Sequence, residues 1–113
     1  MKFVSFDYDP TKVVVTGSEE RKEFNGKTSD TNIVYFFYKD EQCLYIGESK
    51  NSLNDRCFTN SPKHSERDFF KTGNKIRIIV LDPRLGDFER QAIETNFILT
   101  FRSAGHTLKN EKA

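Results

Sequence analysis

The chain is short of several things, and each shortage narrows what it can be. It holds only two cysteines, Cys43 and Cys57, fourteen positions apart. One sits in an apolar, strand-like run and the other in a helix-like run, which suits neither a disulfide framework nor a metal knuckle. Reduced thiols and a cytoplasmic location are the plain expectation. No apolar run approaches the roughly 20 residues that a membrane-spanning helix needs, so no membrane partner is expected. The opening MKFVSFDYDPTK lacks the uninterrupted apolar stretch of a signal peptide. Internal repeats and low-complexity tracts are absent. Net charge is scarce as well, with 18 Lys+Arg against 17 Asp+Glu leaving +1. What remains is a globular balance of 31% charged, 35% hydrophobic and 13% aromatic residues, and 113 residues make one domain with a real core.

The near-zero charge is unevenly distributed. Residues 1–48 carry six Lys/Arg against nine Asp/Glu, a balance of −3, and residues 49–84 carry eight against four, a balance of +4. The remaining residues, 85–113, carry four of each. The middle block includes Lys50, Arg56, Lys63, Arg67, Lys71 and Lys75. Such a block is compatible with a phosphate backbone as partner and equally with a solvated face.

Local patterning predicts a small α/β (α+β) domain. MKFVSF (1–6) and VVVT (13–16) are β-prone, and 16–31 reads as loop or a short charged helix. NIVYFFYK (32–39) and CLYIGE (43–48) form a hairpin through KDEQ, and both are apolar at consecutive positions, so both faces of the sheet should be covered. SLNDRCFTN (52–60) predicts a short helix capped by Asn51 or Ser52, and a second follows within 61–73, capped by Ser65. KIRIIVLD (75–82) is a third strand, and 86–105 is the longest helix, capped by Asp87. The expected architecture is a three-stranded antiparallel or mixed sheet flanked by helices. A β-prone N-terminal extension (1–31) would precede a main domain over 32–113. That extension could pair with the sheet, mediate dimerisation or touch DNA.

The last helix holds an anomaly. With Ile93 at zero, Phe97 falls at about 40°, Phe101 at about 80° and Ile98 at about 140°. Glu94 falls at about 100°, in the middle of the apolar arc. A carboxylate facing a core needs a cation or donors. Arg90, one turn earlier, would make an i,i+4 pair, and a metal ion is the other solution.

Taken together these pieces resemble the GIY-YIG nuclease domain over about residues 32–110. The first motif stands as Ile33-Val34-Tyr35, with isoleucine in place of glycine, and the second is intact as Tyr45-Ile46-Gly47. Arg56 follows within YIGESKNSLNDR, and FERQAIETNFI supplies Glu94 with Ile98 four residues on. Asn60 stands where the family often carries His or Tyr one turn after the arginine, with His64 a further turn along. Asn110 matches the family's late asparagine only with a longer spacing.

The resemblance implies a metal-dependent endonuclease acting on DNA. Glu94 would hold one magnesium or manganese ion, Tyr35 would serve as general base, Tyr45 would share the network positioning the water, and Arg56 would clamp the scissile phosphate. A phenol of ordinary pKa, about 10, needs nearby positive charge to act as a base near neutrality. Gly47 would allow close backbone approach, and Lys50, Lys63, His64 and Asn110 would contact nucleic acid. A homodimer or a partner protein would supply specificity. The alternative is a catalytically inactive nucleic-acid-binding or protein-interaction module on the same fold. Singly, each residue also has an ordinary reading: Tyr35 as core filling, Gly47 as a strand end, Arg56 as a solvated charge.

Overall fold

The computed structural model describes residues 1–58 and 66–110, with the backbone alone for Glu66 and Arg67. Asn60, Lys63, His64 and the expected cap Ser65 lie outside the described residues. Among the described residues the elements follow in chain order: β1 (Lys2–Asp7), α1 (Pro10–Val13), α2 (Glu19–Lys27), β2 (Ile33–Lys39), β3 (Gln42–Ser49), α3 (Leu53–Phe58), α4 (Glu66–Thr72), β4 (Lys75–Val80) and α5 (Asp87–Ser103). The sheet has four strands in the order β1-β4-β2-β3, and every pairing is antiparallel.

This corrects the expectation of three strands. The fourth is β1, which runs along β4 from Lys2 opposite Val80 to Asp7 opposite Lys75. Residues 1–31 are therefore stitched into the sheet, and Val13 and Phe24 are buried in the same core as Tyr35 and Leu53. The β-prone VVVT is not a strand. Asp9 accepts a hydrogen bond from Thr11 N at 3.0 Å and Pro10 occupies the first helical position. Together they start a single helical turn that ends at Val13, with Val14 as its C-cap, and the turn after it passes through Gly17, whose φ of +82° suits glycine. Local capping thus overrides the β-branched preference, and only Val13 of the run is buried. The charged stretch after it is helix α2, capped by Ser18, whose Oγ accepts from Arg21 N at 3.0 Å.

β2 is central and buried on both faces, as its continuous apolar run predicts. Alternation sends Ile33, Tyr35 and Phe37 to one face and Val34, Phe36 and Tyr38 to the other. The first face packs under α1–α4, with Leu53, Cys57, Phe70 and Phe24. The second packs under α5 with Cys43, Ile46, Ile98 and Leu108. The β2–β3 register shifts between Phe37 and Tyr38, which pair with Tyr45 and Cys43. This bulge places Cys43 and Ile46, three apart, on one face.

The cap of α5 is Gly86, not Asp87. Gly86 N donates to Glu89 Oε2 at 3.0 Å, half of a capping box. Asp87 is released to accept from Arg90 Nη2 at 2.6 Å. Past Gly105 the chain runs back along the outer side of β3. There Lys109 N donates to Leu44 O at 2.7 Å, and Cys43 N donates to His106 Nδ1 at 3.1 Å. Asn110 accepts from Ile46 N at 3.1 Å and donates to Ile46 O at 2.6 Å.

Candidate functional site

The hairpin register sets the centre of the site. Tyr35 on β2 lies directly opposite Gly47 on β3. The Tyr35 ring fills the place a side chain at 47 would take: a Cβ there would stand 2.4 Å from both Cζ and Oη of Tyr35. Glycine at 47 is thus a packing requirement of the tyrosine, not only a strand end. Tyr35 is 1% exposed. Tyr45, two residues before Gly47 and on the same face, has its ring centroid 6.4 Å from that of Tyr35. It is half-buried and stacks on Phe69 of α4 at 4.5 Å, with 12° between the planes.

Arg56 comes to the same face from α3, whose Leu53 and Cys57 are buried beneath it. Its Nε donates to Ser49 Oγ at 3.2 Å, and the same Oγ accepts from Asn51 N at 3.0 Å. Ser49 is fully buried and ties the end of β3 to both the turn and the arginine. Sequence reasoning missed it, since a serine closing a strand carries no distinctive pattern. Lys50 follows, exposed. Tyr35, Tyr45, Gly47 and Arg56 are therefore gathered along one face of the β2–β3 edge.

Glu94 arrives from the other side. It is 2% exposed on α5, between the buried Arg90 and Ile98 of the same helix face, as the helical arc requires. α5 packs mainly on β3, on the face opposite Tyr35. The Arg90–Glu94 pair, one of the two alternatives, is not how Arg90 is used. Its Nε donates to Glu48, its Nη1 to Asn32 Oδ1 at 2.8 Å and its Nη2 to Asp87 Oδ1. Burial pulls the Arg90 pKa down, but the hydrogen bonds to Glu48 and Asp87 outweigh it and hold the guanidinium firmly charged. The bond to Arg90 in turn holds the Asp87 carboxyl below its ordinary range. Since Glu48 neighbours Gly47, the Arg90 anchor fixes where α5 crosses β3, and Glu94 follows one turn, about 5.4 Å, along the axis. The two halves of the predicted site thus lie on opposite faces of the sheet, with β3 between them.

Asn110, expected to contact nucleic acid, lies at the outer side of β3. It is 8% exposed, and its amide is engaged with both backbone groups of Ile46. It closes the strand edge that carries Tyr45 and Gly47. Lys63 and His64 fall outside the described residues.

Comparison with protein-family models, with curated proteins and with solved structures returned no significant match. Among the described residues no three His, Cys, Asp or Glu side chains are grouped as a metal centre. Of the residues expected to hold a metal ion, Glu94 is a buried carboxylate. Its hard oxygen fits magnesium or manganese, which retain several waters and take further ligands from a phosphate. No helix among the described residues is long and apolar enough to cross a membrane.

Proposed function

We propose that the chain is a metal-dependent endonuclease hydrolysing phosphodiesters of DNA. The observation that carries this reading is the opposition of Tyr35 and Gly47, with Tyr45 and Arg56 on the same face of the hairpin edge. In this reading Arg56 sets its planar fork of donors on the scissile phosphate and balances the charge that builds on its oxygens. Tyr35, ionised under nearby positive charge, takes the proton of the attacking water on its phenolate oxygen while Tyr45 orients that water. The water oxygen bonds to phosphorus, and the ester oxygen leaves with its electron pair. A magnesium or manganese ion held by Glu94 would supply Lewis-acid polarisation of the phosphate. Ser49 is a positioning residue acting through Arg56.

Plasmid nicking in magnesium or manganese tests the reading. Glu94→Ala is expected to abolish cleavage, and Arg56→Ala to lower it about 10²–10³-fold, as for loss of one charge-stabilising donor. Absence of nicking in either metal, or unchanged nicking by the Glu94 variant, overturns it. The arrival of Glu94 from the opposite face of the sheet favours a second reading, a nucleic-acid-binding module without catalysis. That reading gives salt-sensitive DNA binding that survives Glu94→Ala and weakens when Arg56 and Lys50 are replaced.

A further inference from the structure

The two outer strands of the sheet are finished in opposite ways. The outer side of β3 is closed by His106, Lys109 and Asn110, which bond to the backbone of Cys43, Leu44 and Ile46. β1 stands at the other end of the strand order, with no further strand beside it among the described residues. Its middle residues, Phe3-Val4-Ser5-Phe6, carry no charge, no proline and no bulge, the devices by which proteins blunt an exposed edge. Phe3 is 70% exposed. Beside it, on the α5 face of the sheet, lies an apolar groove of about 230 Å³, with Ser5, Phe36, Tyr38, Ile79 and Phe97 in its lining.

We infer that β1 is the seam of a symmetric dimer, in which β1 of a second copy pairs with it antiparallel and joins two four-stranded sheets into one. Two features select a second copy over an unrelated strand. First, a two-fold axis through the sheet keeps like faces together, so residues opposite one another are both odd or both even in number. Centring the pair on Val4 sets Phe3 opposite Ser5 of the partner subunit, a large ring against a small side chain. Each ring then leans over that serine into the partner's groove. Centring on Ser5 would instead set Phe3 against the partner's Asp7 carboxylate. Second, two such strands with two phenyl rings bury roughly 1,000 Å², the lower limit for a specific contact. The dimer is accordingly weak, with a dissociation constant in the micromolar range. None of this depends on the nuclease reading.

Sedimentation velocity on the full chain from roughly 1 to 100 µM, spanning that range, is the test. A concentration-dependent dimer is expected. Phe3→Lys and Ser5→Lys, both at exposed positions, should weaken it at least tenfold while leaving the circular dichroism spectrum unchanged. Under mild oxidation Val4→Cys should form a covalent dimer across the axis and Phe3→Cys should not, since antiparallel partners stand within disulfide range only when directly opposed. Cys43 and Cys57 are buried and do not compete. A monomer throughout the range overturns the inference. So does a dimer untouched by both lysine variants, or crosslinking of Phe3→Cys as fast as that of Val4→Cys.

Discussion

Replacing Arg90 with methionine should unfasten α5 from β3, and the cost can be worked from the bonds it would remove. The Arg90 side chain is 6% exposed and that of Glu48 is 16% exposed. Removing one member of such a buried pair leaves the other charge uncompensated, which costs about 3–5 kcal/mol. Because Glu48 keeps some contact with water, the lower end, about 3 kcal/mol, applies. The Asp87 limb adds little, about 0.5 kcal/mol, since that carboxylate is 72% exposed. The bond to Asn32 adds about 0.5 kcal/mol more; its amide also donates to Asp82 O and Leu85 O, which remain. The total is about 4 kcal/mol, and methionine retains the apolar stem so that packing is not the cause. For a chain of this size the melting midpoint should fall by ~15 °C. Urea unfolding followed by circular dichroism gives the free energy directly. Glu48→Gln and the double variant complete a cycle, with an expected coupling of about 2 kcal/mol or more. A loss below about 1 kcal/mol for Arg90→Met, or additivity within about 0.5 kcal/mol, would refute the joint.

Gly47→Ala should destabilise the fold by about 1–3 kcal/mol, because the new methyl group must displace the Tyr35 ring, and Tyr35→Leu in the same chain should recover part of the loss in thermal unfolding. Asn110→Ala removes both side-chain bonds to Ile46, so about 1–3 kcal/mol should be lost and light scattering should reveal association through the opened β3 edge. Alkaline unfolding should report Cys43, whose thiol burial pushes from 9.0 up to about 12. Its contribution is complete below about pH 9 and disappears as pH rises through about 12, so Cys43→Ala should flatten the decline in that window. A decline identical in the two proteins would assign it to other groups, Tyr8 among them, which burial also raises.

The legible parts of the fold were those written in long or doubly apolar runs. β2 and β3 read as a covered hairpin because both faces are apolar, and the inward position of Glu94 followed from the arc of α5. β1 was legible as β-prone but not as a member of the sheet, because its partner β4 is some 70 positions away and alternation names no partner. VVVT misled because three valines outweigh one aspartate in propensity, whereas Asp9 and Pro10 decide the local backbone. In the site, Tyr35, Tyr45 and Arg56 were gathered by short-range register alone. The use of Arg90 was not, since two of its partners, Glu48 and Asn32, are more than forty positions distant and no periodicity within α5 points to them. Ser49 escaped for the same reason, and so did the bonds of Asn110 to Ile46, although Asn110 itself was expected as a nucleic-acid contact: each bond is set by tertiary placement.

The position of β4 between β1 and β2 bears on how fast the chain can find its structure. Only β2 and β3 are neighbours both in sequence and in the sheet, and a hairpin of that kind closes in about 1–10 µs. Both contacts of β4 bridge long stretches of chain, roughly 40 residues to β2 and 70 to β1, and loop closure precedes any gain from them. Refolding should therefore take milliseconds to seconds, the range of sheets dominated by distant pairings. During that interval the VYFFY segment shows one apolar flank and one open edge to other chains. Yield on dilution from denaturant, rather than native stability, is what high protein concentration should reduce.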